Sequence, residues 1–429
     1  MARRTANTTN ATAKRPRQPS LPPLPEPVRF DPNRHTIDAH EEREHLLSLV
    51  FAQQGAGKLP TAALTHALRS LGSVTALRRL SPEELSDLLG CPLDIAEGFE
   101  TAINDPALKQ QVREECRRLD AGPDRVLSLL DGDYPPMLRF APAPPLALWV
   151  RGRPMPQDAA AIALLGSSRC SPPAAAQATR YAQHLAEQGV TVLSGGEVGI
   201  DATVTETAIH HGGRVIVALG AGLQAHHRPK LQSLYDRLTQ TRDPVGMMLS
   251  TVPLLTPPSV VNQVAGDNLV AHLALACVVI RSRRNGGALI AARLAHEAGR
   301  PLLAVPGEPD AEDVQGCHQL LASGRATLAL NPNDALEAAI QTVAEVTQCH
   351  AQRRWLQPHF TAEHPMGPAE RQDRRLISEL RRSDTPLDLD RLASQAELDR
   401  PEAARRLTRL RLMGLIRYDA TTHQFSRLA

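Results

Sequence analysis

The sequence predicts an α/β protein built on a parallel sheet covered on both faces. Three observations carry that prediction. Short apolar runs, Ile162-Ala163-Leu164-Leu165, Val190-Thr191-Val192-Leu193 and Val215-Ile216-Val217-Ala218-Leu219, alternate with stretches of helical periodicity. Strands buried on both faces read as continuous runs of this kind. Each run stops at small residues: Gly166-Ser167-Ser168-Arg169, Ser194-Gly195-Gly196-Glu197 and Gly220-Ala221-Gly222. A sheet of this type presents its ligand crevice at such strand ends, and small residues there let a phosphate reach the N–H groups that open the next helix.

The helices between the runs follow from spacing and punctuation. From Pro172 to Gln188, residues Ala174, Ala178, Tyr181, Ala182 and Leu185 share one face, and Gly189 ends the pattern. After Gly199-Ile200 a second helix runs to Gly212-Gly213, with Asp201 read as its N-cap rather than as a catalytic acid. Further on, Leu269 to Ala276 reads as a helix and Cys277 to Ile280 as a strand. That strand ends at Arg281-Ser282-Arg283-Arg284-Asn285-Gly286-Gly287. A helix from Ala288 to Ala298 closes on Gly299, and Pro301 to Val305 is the next strand. The loop 281–287 is the most basic of the crevice loops and leads into a helix N-terminus. We read its arginines as phosphate ligands rather than as merely solvated side chains.

The flanks are of a different kind. Residues 1–37 are rich in Thr, Asn, Ala, Arg and Pro, which predicts disorder. Arg3, Arg4, Lys14, Arg15 and Arg17 make this tail either a non-specific DNA arm or simply solvated. Residues 38–125 read as short helices, with Ser81-Pro82-Glu83-Glu84 a strong helix start. A Pro-interrupted linker is expected over 346–370. The final segment, whose domain is expected over 371–429, shows three helical patterns, Ala369 to Arg382, Leu389 to Ala396 and Pro401 to Met413, then a hairpin through Thr421-Thr422. Three helices followed by a β-ribbon is the winged-helix pattern. Its third helix carries Arg405, Arg406, Arg409 and Arg411, and both DNA contact and protein contact remain open for it.

Composition bounds the function. The formal net charge is +2, so a nucleic-acid site must be a local patch. Lysine occurs only at Lys14, Lys58, Lys109 and Lys230 among 48 basic residues, so arginine carries most of the positive charge. Aromatic residues make up 3%, low for a protein that grips single strands mainly by stacking. None of the six cysteines forms a C-x-x-C pair. No metal site is therefore expected, and the thiols read as those of a reduced, cytoplasmic protein. The longest apolar stretch, Leu269 to Ile280, is too short for a membrane span, and the N-terminus lacks the apolar core of a secretory signal.

Several motifs in this order resemble the DNA-processing protein A (DprA/Smf) family: Gly166-Ser-Ser-Arg169, then Ser194-Gly-Gly-Glu-Val-Gly-Ile-Asp201, then Gly220-Ala-Gly-Leu223. Val305-Pro-Gly307, the segment Gly316 to Gly324, and Asp131-Gly-Asp-Tyr-Pro135 match further family motifs. The resemblance implies an extended Rossmann-like core over 126–345, with a helical SAM- or helix-hairpin-helix-like domain before it and a winged helix after it. No clean Gly-x-Gly hairpin appears in the first of these domains, which favours packing or oligomerisation there over direct DNA contact. The resemblance also implies single-stranded DNA binding, delivery of that strand to the RecA recombinase, a homodimer, no cofactor and no chemistry.

The phosphate ligands expected on this reading are Gly166, Ser167, Ser168, Arg169, Ser194, Gly195, Gly199, Gly220, Asn268, Arg281, Arg283, Arg284, Gly286 and Gly287. The sequence also departs from the family pattern. Ser168 stands at the family's arginine after the first strand, and Thr205 replaces a histidine. Gln263 to Asn268 lacks both arginines of a family loop, and Arg281 replaces a glutamate. Arginines lost from one place and gained in another suggest a rearranged anion site. Two rivals stand beside this reading. One is a phosphoribohydrolase-like enzyme, for which Asn285-Gly286-Gly287-Ala288 lacks the Gly-Thr and the downstream Glu. The other is a protein-interaction scaffold without DNA binding.

Overall fold

The computed structural model describes residues 39–54, 59–239, 245–348, 368–383 and 385–427. The tail 1–37 and most of the linker expected over 346–370 lie outside the described residues.

Six helices open the described residues: α1 (Ala39–Gln54), α2 (Thr61–Leu71), α3 (Val74–Arg78), α4 (Pro82–Leu89), α5 (Leu93–Asn104) and α6 (Pro106–Ala121). Their starts have local causes. At α4, Ser81 accepts from the Glu84 amide and Glu84 accepts from the Ser81 amide, a reciprocal capping box. At α3, Ser73 caps by accepting from the Ala76 amide, and a distant residue adds to it: both oxygens of Glu42 accept from the amides of Val74 and Thr75. Helix α6 is fixed to the sheet by a buried carboxylate. Glu115 Oε1 accepts from Trp149 Nε1 and from the Leu254 amide, each over 2.8 Å.

The sheet has nine strands in the order β1-β2-β6-β5-β4-β3-β7-β8-β9. They are β1 (Asp124–Ser128), β2 (Ala147–Gly152), β3 (Ala161–Gly166), β4 (Thr191–Ser194), β5 (Val215–Ala218), β6 (Gly246–Ser250), β7 (Ala276–Arg281), β8 (Leu302–Ala304) and β9 (Thr327–Leu328). From β6 to β9 every pairing is parallel; β1 and β2 add an antiparallel edge. The predicted parallel sheet is present, with β1, β2, β6 and β9 added to the strands read from sequence.

The connecting helices are α7 (Pro172–Glu187), α8 (Ile200–His210), α9 (Pro229–Thr239), α10 (Val260–Leu273), α11 (Ala288–Glu297) and α12 (Gln315–Ala322), and α13 (Pro332–Gln348) follows β9. Strand alternation divides them between two cores. Ile162 and Leu164 point into one with Ala178, Tyr181 and Leu185 of α7. Ala161, Ala163 and Leu165 point into the other with Ala291 and Ala292 of α11. Helix α10 starts nine residues before the expected Leu269, because Ser259 caps it by accepting from the Asn262 amide. Gln263 to Asn268 is therefore helical and not a loop.

After the linker come α14 (Pro368–Arg382), β10 (Leu387–Asp388), α15 (Leu389–Gln395), α16 (Arg400–Leu412), β11 (Ile416–Asp419) and β12 (Gln424–Arg427). The strands form a separate antiparallel sheet, β10-β12-β11. Leu376, Leu392, Leu407, Leu410 and Phe425 make a small core of their own. The last turn of α16 does not join it: Leu412 and Met413 are buried in the larger core beside the nine-stranded sheet.

Candidate nucleic-acid interface

Strand β3 is the point where the order of the sheet reverses. The chain lays β4, β5 and β6 on one side of it, then crosses to place β7, β8 and β9 on the other. Helix α7 leaves β3 toward one face and α11 leaves β7 toward the opposite face. A crevice opens between two such loops at the carboxyl ends of the strands. Both of its walls are candidates read from sequence: Gly166 to Arg169 and Arg281 to Gly287.

The first wall is held by backbone. The Ser167 amide donates to the Arg281 carbonyl over 2.9 Å, and the Ser167 carbonyl accepts from the Ile200 amide over 3.1 Å. Ser168 and Arg169 are exposed beyond this tie. Gly199, at φ +86°, lies where a Cβ would fall 2.4 Å from the Ser167 oxygen, so no other residue fits there. Gly166 packs likewise on Ile200. Ser171 caps α7 and donates to Asp313 Oδ2 over 2.6 Å, which links this wall to the segment after β8.

The second wall divides its arginines. Arg281 is only 8% exposed and its guanidinium lies against Gly307, so it belongs to the interior and not to the rim. Arg283 is half-exposed, with Nη1 3.4 Å from Glu312 Oε1, and Arg284 is exposed. An ion pair that open to solvent holds Arg283 weakly. Arg283, Arg284, Asn285 and Gly286 line a cleft of about 280 Å³ with Glu312 and Gln315. Helix α11 begins behind it, and Gly287 offers no side-chain cap to its first amides.

On the other side of β3 the crevice is acidic. Ser194 is buried, and its hydroxyl accepts from the Gly196 amide and donates to the Asp201 carbonyl. The N-cap of α8 is Gly199, whereas Asp201 sits inside the helix and accepts from the Glu197 amide through Oδ2 at 3.4 Å. The expected cap role is thus corrected: Asp201 turns back to the Gly195–Glu197 loop. Its carboxyl is pushed up to about 7, mainly by burial and further by Glu197 and Asp267. Asp267 is also pushed up to about 7, by burial and then by Glu197. Gln263 donates to Glu197 over 3.0 Å, and the Tyr235 hydroxyl donates to the Gly196 carbonyl.

Two further sequence candidates are turned away from the rim. A Cβ at Gly220 would lie 2.6 Å from the Cα of Gln263, so α10 covers that loop. Asn268 donates to the Val264 carbonyl of its own helix over 3.1 Å. Asp267, Gln263, Glu312 and Gln315 are the rim and lining residues that sequence reasoning missed, and Tyr235 supports them from beneath. Their signal is weak, because each is an ordinary polar residue placed only by tertiary packing.

The arginines of α16 are engaged internally. Arg406 and Arg409 both pair with Asp373 of α14, Arg405 pairs with Glu402, and the Arg411 guanidinium lies 4.6 Å from the Tyr418 ring centre. Among the described residues no group of three His, Cys, Asp or Glu side chains is placed to hold a metal ion, and no helix is long and apolar enough to cross a membrane.

The family model of DNA recombination-mediator protein A matches residues 125–340, half of the chain and all of the crevice. The chain belongs to that family. It is 30% identical over 204 residues to protein Smf of Escherichia coli K12, covering 48% of this chain and 54% of that protein. It is 29% identical over 210 residues to protein Smf of Synechocystis, covering 48% and 52%. The match therefore spans about half the length of these relatives. A putative DprA of Mycobacterium tuberculosis matches over 294 residues at 28% identity, 65% of this chain and 71% of that one. The structure of Streptococcus pneumoniae DprA shares the fold, with a TM-score of 0.56 and 22% identity over 68% of this chain and 97% of that one. Family motifs such as Gly199-Ile200-Asp201 thus fall where the loops after β3, β4 and β7 meet.

Proposed function

We propose that the protein binds single-stranded DNA along the crevice above β3 and β7 and delivers it to the RecA recombinase. It does so in the cytoplasm, as a homodimer, without catalysing a reaction. One observation carries the reading: exposed Arg169 and Arg284 and half-exposed Arg283 sit on two loops that the Ser167–Arg281 hydrogen bond holds together. Forked guanidinium contacts to phosphates suit a strand of any sequence. Contacts drawn from two loops on one edge favour one strand, because a duplex cannot lower one backbone onto them without losing contacts to the other.

On this reading the chain divides into a helical SAM- or hairpin-like domain (38–125), a Rossmann-like core (126–345) and a winged helix (371–429). The pairing of Arg406 and Arg409 with Asp373 supports a protein-contact role for the winged helix over a DNA-reading one. The fixing of α6 to Trp149 supports a packing role for the first domain. The test is titration of the purified full chain with oligo-dT, a duplex of equal length and nucleoside monophosphates. Tighter binding of oligo-dT is expected. Equal affinity for the duplex would count against the reading, and turnover of monophosphates would favour the phosphoribohydrolase-like alternative.

A further inference from the structure

The rim of the crevice changes sign along its length. Over β3 and β7 it carries Arg169, Arg283 and Arg284. Beyond β5 the segment 226–230 exposes His226, Arg228 and Lys230. Between these basic stretches, over the end of β4, stand carboxylates. Glu197 is exposed, and Gln263 of α10 holds its Oε1 over 3.0 Å. Asp267, one turn further along α10, is half-buried, and the Glu197 charge adds to burial in pushing its carboxyl up. Asp201 lies beneath them, with Oδ2 on the Glu197 amide. The packing that sets this arrangement is close, because the first turns of α10 rest directly on Gly220.

We propose that Glu197 and Asp267 form an electrostatic break in the rim, which confines the bound single strand to the β3–β7 side and keeps it off the 226–230 segment. The inference rests on the reading that the crevice binds single-stranded DNA. Each nucleotide brings a phosphate charge, and carboxylates at the rim lie well within a Debye length of about 8–10 Å of any strand crossing them. Like-charge juxtaposition of this kind selects against a path as effectively as attraction selects for one. The break therefore fixes how many nucleotides one crevice holds.

The experiment compares the full chain with its Glu197→Gln/Asp267→Asn variant at pH 8, where the Asp267 carboxyl, pushed up to about 7, is ionised. A ladder of oligo-dT lengths is titrated at several salt concentrations, and photo-crosslinks are mapped by mass spectrometry. The variant is expected to bind roughly five- to tenfold tighter at low salt, with a salt slope steeper by about one to two counterions. Its affinity should go on rising to longer oligonucleotides than that of the wild type, and crosslinks should reach residues 226–230. A control variant, Glu187→Gln/Glu206→Gln, removes the same number of charges from exposed sites on α7 and α8 and should bind like the wild type. Unchanged affinity and crosslinks in the first variant, or an equal gain in the control, would overturn the break while leaving DNA binding intact. Failure of the wild type to bind any oligonucleotide would overturn the DNA reading and this inference with it.

Discussion

The Ser167 amide donates to the Arg281 carbonyl across the two central parallel strands, so the loops that leave β3 and β7 are joined before either reaches solvent. Arg169 on one loop and Arg283 and Arg284 on the other are thereby presented on a single rigid edge. A preorganised edge loses little entropy when a phosphate docks.

The first prediction concerns that edge. Changing Arg283 and Arg284 together to Ala should weaken oligo-dT binding by about 1–3 kcal/mol, the scale of charged hydrogen bonds. The salt slope should become shallower by about one to two counterions. Arg405→Ala, which loses only an exposed pair with Glu402, should do less. If the loop variant binds like wild type while Arg169→Ala abolishes binding, the anion site lies at β3 alone.

The second concerns pH and Asp201. Burial raises its folded pKa to about 7, above its ordinary value, so the neutral carboxyl is the form the fold prefers. That contribution to stability is fully present below the ordinary carboxylate range and is lost as pH rises through about 7. Asp201→Asn keeps an oxygen for the Glu197 amide and carries no charge. At pH 8 it should be more stable than wild type by up to roughly 4 kcal/mol, and near pH 4 the two should converge. Thermal melts across that range decide it; parallel curves would show that Asp201 does not titrate as the burial argument requires.

A third prediction tests the seam between the helical unit and the sheet. Glu115→Ala leaves the Trp149 and Leu254 N–H groups buried without their acceptor. The expected loss is about 2–4 kcal/mol in urea unfolding. Glu115→Gln retains one acceptor oxygen and should lose less than half as much. Equal losses would mean that the charge matters here and not the hydrogen bonds.

The tail gives the fourth. Deleting 368–429 uncovers the seat of Leu412 and Met413 in the larger core. The truncated chain should keep oligo-dT affinity within a few-fold, yet melt at a lower temperature and aggregate sooner. An unchanged melting point would show that this contact adds nothing to the stability of the sheet.

Much of the sheet and both walls of the crevice were legible in the sequence. The runs 162–165, 190–193 and 215–219 are long enough, and the small residues after them sharp enough, to fix β3, β4, β5 and their loops. The sequence was silent on β6, whose Met247-Met248-Leu249 is too short to separate from a helix fragment. It also grouped Arg281 with Arg283 and Arg284. Strand β7 runs through Arg281, which pairs with Gly166, and the side chain is carried inward. Asn268 looked like a crevice residue because its partner, the Val264 carbonyl, becomes evident only once α10 is known to start at Val260. Asp267, which completes the acidic stretch beside Glu197, was hidden for the same reason. Glu197 and Asp267 are seventy residues apart in the chain and meet only because α10 lies over Gly220.

Trp149 has a use outside the fold it helps to build. It is one of two tryptophans in the chain; the other, Trp355, lies outside the described residues. Its indole is fully enclosed and its N–H is committed to Glu115. In a Trp355→Phe background its emission becomes an intrinsic gauge of whether α6 stays docked on the sheet. A red shift on adding an oligonucleotide would reveal that α6 lifts away from β2 as the crevice fills.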